Sequence, residues 1–217
     1  MSKVLIVSKT KMAQQKVCVG GIDVDKYRSI RLMNENGHHE TLEDCPYNIF
    51  DFWDLTYTIT STRPLPHSTE DVNVLQGKKL STLNKNTDVI DLLKKNRINI
   101  YNGPINHVFN GCLKSTDNSS SLFISQLQVP NHSTCFWICD QDMPRKDYLD
   151  KIKFNYKDDT HIWGYNIPYV GLDNDPLNII PKGSLIRLSL AHWWSPDDTK
   201  EERCYLQLSG YFLKEPH

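Results

Sequence analysis

A mainly β protein, with small barrels built from short strands and one or two short helices, is the fold class this sequence predicts. Three observations carry the prediction. Apolar residues recur with period two over many short runs separated by glycine, proline and asparagine turns. Helical spacing is clear over one stretch, Asp88 to Arg97 (DVIDLLKKNR). The best-specified stretch, Ser184 to Leu213, is two alternating apolar runs around a polar linker holding Pro196, Asp197 and Asp198, the pattern of an antiparallel hairpin.

In chain order, Lys3 to Ser8 (KVLIVS) reads as a strand buried on both faces, and Lys9 to Lys16 as a basic connection. Val17 to Val24 is the second strand, where the Gly20-Gly21 pair predicts a bulge or sharp bend. Arg28 to Met33 is the third, with Ile30 and Leu32 inward and Ser29 and Arg31 outward. Asn34 to Gly37 is a turn and residues 38–51 a loop. Phe52 to Thr62 alternates Trp53, Leu55, Tyr57 and Ile59, and RPLPH ends it. The helix follows, with Thr87 or Asp88 as its cap, Val89, Leu92 and Leu93 on one face and lysines near its end. Ser115 to Ser121 reads as a loop. Leu122 to Val129, Thr134 to Cys139, Ile152 to Tyr156 and Trp163 to Val170 read as strands, the last interrupted by Pro168. In the hairpin, Ile186, Leu188 and Leu190 face the core from one arm, and Cys204, Leu206, Leu208 and Phe212 from the other. Arg187, Ser189, Ala191, Trp193, Arg203, Tyr205, Gln207, Ser209 and Tyr211 take the opposite faces.

An oligonucleotide/oligosaccharide-binding (OB) barrel needs about five strands, often with a helix between the third and fourth. Two OB-like barrels in tandem fit 217 residues, divided as 1–110 and 111–217. Apolar residues make up 39% of the chain, enough for packed cores and too many for a disordered one. No apolar run approaches the roughly 20 residues that span a bilayer, so no membrane partner is expected. MSKVLIVSK lacks a charged-then-apolar leader with a cleavage site, which predicts a cytoplasmic location. Cysteines 18, 45, 112, 135, 139 and 204 are then expected as free thiols. A net charge of −1 argues against a strong sequence-independent polyelectrolyte binder. Residues 1–110 hold 14 Lys/Arg against 12 Asp/Glu, and residues 111–217 hold 11 against 14, so a phosphate-facing surface is expected on the first half.

The opening KVLIVSKTKMAQQKVCVGGIDVDKYRSIRLM resembles the start of the prokaryotic dual-OB domain family: strand, short basic loop, strand ending in Cys-x-Gly/Ala-Gly, then a strand carrying Ile-Arg. Gly21 and Arg31 occupy the positions that pattern assigns. TSTRPLPHSTEDV (60–72) is similar to its proline-containing segment, and IRLSLAHWW…CYLQLSGYF to its terminal hairpin. The resemblance implies two OB barrels, nucleic-acid binding, and association with bacterial (antiviral) defence operons.

Lys9, Lys11 and Lys16, with Arg28 and Arg31, are candidates to track a phosphate backbone. The sheet of strands two and three is the usual OB groove, and solvated lysines on a connection are the alternative. Trp163 and Tyr165 alternate on one side of a strand, as do Trp193, Tyr205 and Tyr211 by hairpin logic. With Arg187 and Arg203 they are candidates to hold bases, against a role in core or interdomain packing. Adjacent Trp193 and Trp194 point to opposite sides of a strand, so one is free to anchor a protein partner. Cys135-x-x-x-Cys139 with His132 and Cys112 lacks a C-x-x-C pair and reads as a strand with two buried thiols, so no metal or cofactor is expected. No nucleophile elbow, P-loop, dinucleotide fingerprint or zinc-protease motif is present. Asp23 and Asp25, Asp140 and Asp142, and Asp173 and Asp175 are spaced like paired carboxylates but sit in turn-like contexts. The expected function is non-catalytic binding of nucleic acid, either single-stranded or a nucleotide-like ligand. The alternative is an interaction subunit or sensor that recruits an effector through the Trp193-Trp194 hairpin, and third comes a metal-dependent hydrolase using Asp23 and Asp25.

Overall fold

The computed structural model describes residues 1–59, 63–84, 89–116, 119–149, 151–158, 161–172, 176–195 and 201–213, with backbone alone at 119–120, 158 and 161–162. The chain forms two compact units, 1–99 with 171–173, and 100–170 with 174–217. The expected division lies at residue 110. Ile100 and Tyr101, however, pair in parallel with Phe136 and Trp137, which assigns them to the second unit.

The first unit is a closed five-stranded barrel of β1 (Ser2–Lys11), β2 (Val17–Asp23), β3 (Arg28–Met33), β4 (Asp51–Ile59) and β5 (Asp71–Thr82). The order around the barrel is β1-β2-β3-β5-β4, and β4 returns to pair with β1. Every pairing is antiparallel except β3 with β5, where Arg31, Leu32 and Met33 face Asp71, Val72 and Asn73. Val4, Ile6, Val17, Val19, Ile30, Leu32, Leu55 and Val72 fill the interior, as period-two patterning requires. Leu172, from the later sequence, packs against this core while its N–H donates to Lys9 O at 3.0 Å.

One expectation is corrected in this unit, and one strand is added to it. The bulge lies on β1 opposite the glycine pair: Ile6 faces Gly21 and Ser8 faces Gly20, leaving Val7 as the extra residue. Gly21 instead answers to close packing, since a Cβ there would come 2.7 Å from Val4 Cγ1. The strand β5 was not foreseen, because its residues are exposed from Leu75 onward and carry no greasy face to read. The helix α1 (Val89–Lys95) buries Val89 and Leu93 as its spacing predicts, and it follows β5. Its expected caps, Thr87 and Asp88, lie outside the described residues.

The second unit contains β6 (Ile100–Tyr101), β7 (Lys114–Thr116), β8 (Ser119–Ser125), β9 (Thr134–Ile138), β10 (Met143–Pro144), β11 (Lys153–Asp158), β12 (His161–Pro168), β13 (Ile179–Ile180), β14 (Leu185–Leu190) and β15 (Arg203–Phe212). Six of them form one sheet in the order β6-β9-β14-β15-β8-β7, while β10 pairs with β13 and β11 with β12. Of the stretch expected as a loop, 115–121, residues 115–116 lie in β7 and 119–121 in β8, which pair antiparallel. Phe154, Tyr156, Tyr165 and Ile167 of β11–β12 share a core with Trp137, Ile186, Leu188, Cys204, Leu206 and Leu208 of the large sheet. All six cysteines are unbridged.

The terminal hairpin forms with the expected alternation up to a bulge. Leu188 faces Leu208, but Arg187 faces Gly210, so Ser209 is extra. One inserted residue turns every later side chain to the other face. Tyr211 is therefore buried in the core and Phe212 is only half-buried, the reverse of the sequence expectation. Among the described residues no helix is long and apolar enough to cross a membrane.

Candidate functional site

Of the five basic residues expected to track a phosphate backbone, Lys9 and Arg31 are buried. The slip at Val7 sets Lys9 opposite Val19, a core residue, so Lys9 turns inward and is buried. There it lies beside Cys45, whose thiol burial pushes up and Lys9 draws part of the way back. Lys11 is exposed at the end of β1, and Lys16 is half-buried where it bridges Thr41. Between them Gln14 and Gln15 adopt left-handed backbone, and Leu42 N–H donates to Gln15 O at 2.8 Å, fastening this loop to the β3–β4 connection. Arg28 is half-buried and its Nη2 donates to Thr69 O at 2.7 Å.

Arg31, expected on an outward face, is buried at the β3–β5 seam. Its Nε donates to Asp71 Oδ1 at 2.5 Å, and Arg63 Nε lies 3.3 Å from Asp71 Oδ2. Burial opposes the Arg31 charge, but the neighbouring acidic groups, Asp71 and Glu70 among them, outweigh it and hold the guanidinium above its ordinary pKa. Asp71 sits at the head of β5, so the missed strand supplied the partner that sequence reasoning lacked.

The carboxylate pairs serve turns. Asp23 is buried, and its Oδ1 accepts from Asp25 N at 3.0 Å and Lys26 N at 2.9 Å, closing an Asx-type turn. Its Oδ2 accepts from Tyr57 OH at 2.5 Å, while Asp25 Oδ2 accepts from Lys3 N at 2.7 Å. Asp142 Oδ1 accepts from Lys182 N at 2.7 Å, and Asp140 Oδ2 from Tyr156 OH at 3.2 Å. Asp173 and Asp175 lie outside the described residues.

In the second unit the candidates separate. Trp163 is 80% exposed, whereas Tyr165, expected beside it, is buried in the core. The cause is a bulge: Tyr156 faces Tyr165, but Asp158 already faces His161, and Gly164 between takes φ +64. A Cβ on Gly164 would lie 2.4 Å from Tyr156 O, so glycine is required. The buried side chain of Asn155 holds the bulge, its Nδ2 donating to Trp163 O at 3.0 Å and Asn166 Oδ1 at 2.9 Å. Arg187 is buried and its Nη1 donates to Ser209 Oγ at 2.9 Å, at the terminal bulge. Tyr211 is buried and its OH accepts from Leu177 N at 3.1 Å. Trp193 is half-buried against the core, and Trp194 is 55% exposed, so the two rings do diverge.

What the structure brings together is Trp194, Arg203 and Tyr205, with two residues the sequence reading did not single out, Phe123 and Ser125. Arg203 and Tyr205 of β15 face Ser125 and Phe123 of β8, on the side of the sheet opposite the core pair Cys204 and Ile124. Trp194 joins them by an antiparallel bridge to Arg203, with N–O distances of 3.1 and 2.9 Å. The Arg203 guanidinium carbon lies 4.2 Å from the Phe123 ring centroid, a cation–π contact. Tyr205 is 6.0 Å from Phe123 and 6.0 Å from Trp194, tilted to both. Glu201 Oε1 and Glu202 Oε2 accept from the backbone and side chain of Gln126 at 3.2 and 3.0 Å, next to this row. The missed pair was within reach of the sequence: alternation across Leu122 to Val129 sets Phe123 and Ser125 opposite Leu122 and Ile124.

No curated protein and no solved structure matches the chain significantly. A family model described as the dual OB-containing domain does match, over residues 2–211, and it agrees with the closed barrel in OB strand order. The chain belongs to the dual OB-containing domain family.

Proposed function

We propose that this chain is a non-catalytic module that binds single-stranded nucleic acid through the outer face of β8 and β15, as a cytoplasmic component of a bacterial defence system. The supporting observation is the row Trp194, Tyr205 and Arg203 on one sheet face, set over the buried ring of Phe123, with Trp194 55% exposed. Base–aromatic stacking contributes about 1–3 kcal/mol per base and tolerates any sequence. A stacking site also needs little net positive charge, which suits a chain of net charge −1. Lys9, Arg31 and Arg187 leave the list of ligand contacts because they are buried.

A second reading has its own support. Exposed Trp194 beside Glu201 and Glu202 also fits a protein anchor that recruits an effector. Oligonucleotide binding by the full chain, titrated with salt, decides between them. Strand binding predicts measurable affinity at low salt that weakens as salt rises and is lost in Trp194→Ala and Tyr205→Ala. No binding at low salt leaves the protein anchor standing.

A further inference from the structure

We propose that the outer face of β8 and β15 holds a guanine-selective subsite, an inference that takes its ligand class from the nucleic-acid reading and its base preference from the site's own geometry. Arg203 Nε is shielded from solvent and makes no hydrogen bond among the described residues. Directly across the register, the Ser125 side chain is 1% exposed and its Oγ likewise has no partner. Buried polar groups are normally satisfied, so two unmet ones facing each other across one strand pair mark a place shaped for an outside group.

The chemistry of that group follows from the residues. Phe123 packs against the Arg203 guanidinium, its ring centroid 4.2 Å from the guanidinium carbon. Arginine offers donors and no acceptor. Guanine presents two adjacent acceptors, N7 and O6, that match the guanidinium fork, whereas adenine places its N6 amine donor beside N7. Ser125 Oγ can donate or accept and so complements either edge. Glu201 and Glu202, held against Gln126 beside Arg203, oppose a phosphate in this position and leave a base edge as the favoured occupant. Trp194, 55% exposed and inclined 58° to Tyr205, is not stacked on its neighbour, so its ring can carry the base plane.

The test uses the full chain and 5′-labelled thymidine heptamers carrying one central guanine or adenine, read by fluorescence anisotropy. The guanine strand is expected to bind about tenfold more tightly than the adenine strand. Arg203→Lys, which keeps the charge but lacks the fork, is expected to close that gap. Trp194→Ala, at an exposed position, is expected to weaken both strands. Equal affinity of the two strands for the wild-type protein, or a gap that survives in Arg203→Lys, overturns the guanine subsite. GMP and AMP, followed by tryptophan emission, separate a free nucleotide from a strand. A preference for GMP with no heptamer bound upholds the subsite and overturns the strand reading. Absence of binding to the heptamers and to GMP alike overturns both.

Discussion

The two units bury different things. The first barrel takes charge inside: Arg31 with Asp71 at the β3–β5 seam, Asp23 under Tyr57, and Asp51 held by Lys79 Nζ at 2.7 Å and Thr82 Oγ1 at 2.7 Å. The second unit takes rings inside: Trp137 meets Tyr156 edge-on at 5.6 Å, and Phe154, Tyr169 and Tyr211 contact one another. The cations predicted to bind phosphate from the first half are therefore partly consumed by its own architecture, and a count of charges per half misplaces the ligand face. Several aromatics expected to stack bases are likewise core, Tyr165 and Tyr211 among them, whereas Trp163 and Trp194 reach solvent.

This contrast can be broken by substitution. The largest effect is expected at the seam, where Asp71→Asn leaves the Arg31 charge buried with its pairing weakened and costs about 3–5 kcal/mol in urea unfolding. The double variant Arg31→Met with Asp71→Leu is expected to recover most of that loss, since apolar replacement of a whole buried pair is often neutral. A seam needed for ligand contact instead of for folding would show lost binding with unchanged stability. In the second unit, Asn155→Ala removes the clamp on the Trp163 bulge and is expected to cost about 1–3 kcal/mol. Unchanged stability in that variant would show that Gly164 alone maintains the bulge.

Two smaller effects sharpen the comparison. Burial works against the Asp51 carboxylate, but Lys79 and Thr82 prevail and hold its pKa below the ordinary value. A depressed carboxylate contributes stability above its unfolded pKa of about 3.9 and loses it as pH falls through the folded value. Wild type and Asp51→Asn are thus expected to differ at pH 7 and to converge below about pH 4, followed by thermal melting. Last, Trp194→Ala is expected to shift stability by no more than about 0.5 kcal/mol, as befits a surface position. A large loss there would assign Trp194 to packing and remove it from the binding face.

Strands with a buried face were legible. Arg28 to Met33 and Thr134 to Ile138 announce themselves by alternation because one side must be greasy. The strand Asp71–Thr82 was not, because most of its length is exposed and its partners supply the reason for its extended shape. Site residues failed beside three slips in strand register, at Val7, Gly164 and Ser209, and at Arg31, whose partner strand β5 was not read. Alternation predicts faces only while pairing stays in step, and a bulge depends on the partner strand, which a linear pattern does not contain. Lys9, Tyr165 and Tyr211 each ended on the unexpected side for that reason. Arg203 and Tyr205 precede the slip in their strand and kept the face alternation gave them.

The docking of Leu172 on the first barrel has a consequence for synthesis. The five barrel strands leave the ribosome with the first 82 residues, but the apolar plug beside Lys9 arrives ninety residues later. The nascent N-terminal half must wait with that flank open through translation of most of its neighbour, a delay of several seconds at about 5–20 residues per second. The apolar covering of the early half is thereby tied to production of the late one, since a chain terminated before residue 172 has all five barrel strands and lacks this side chain against them.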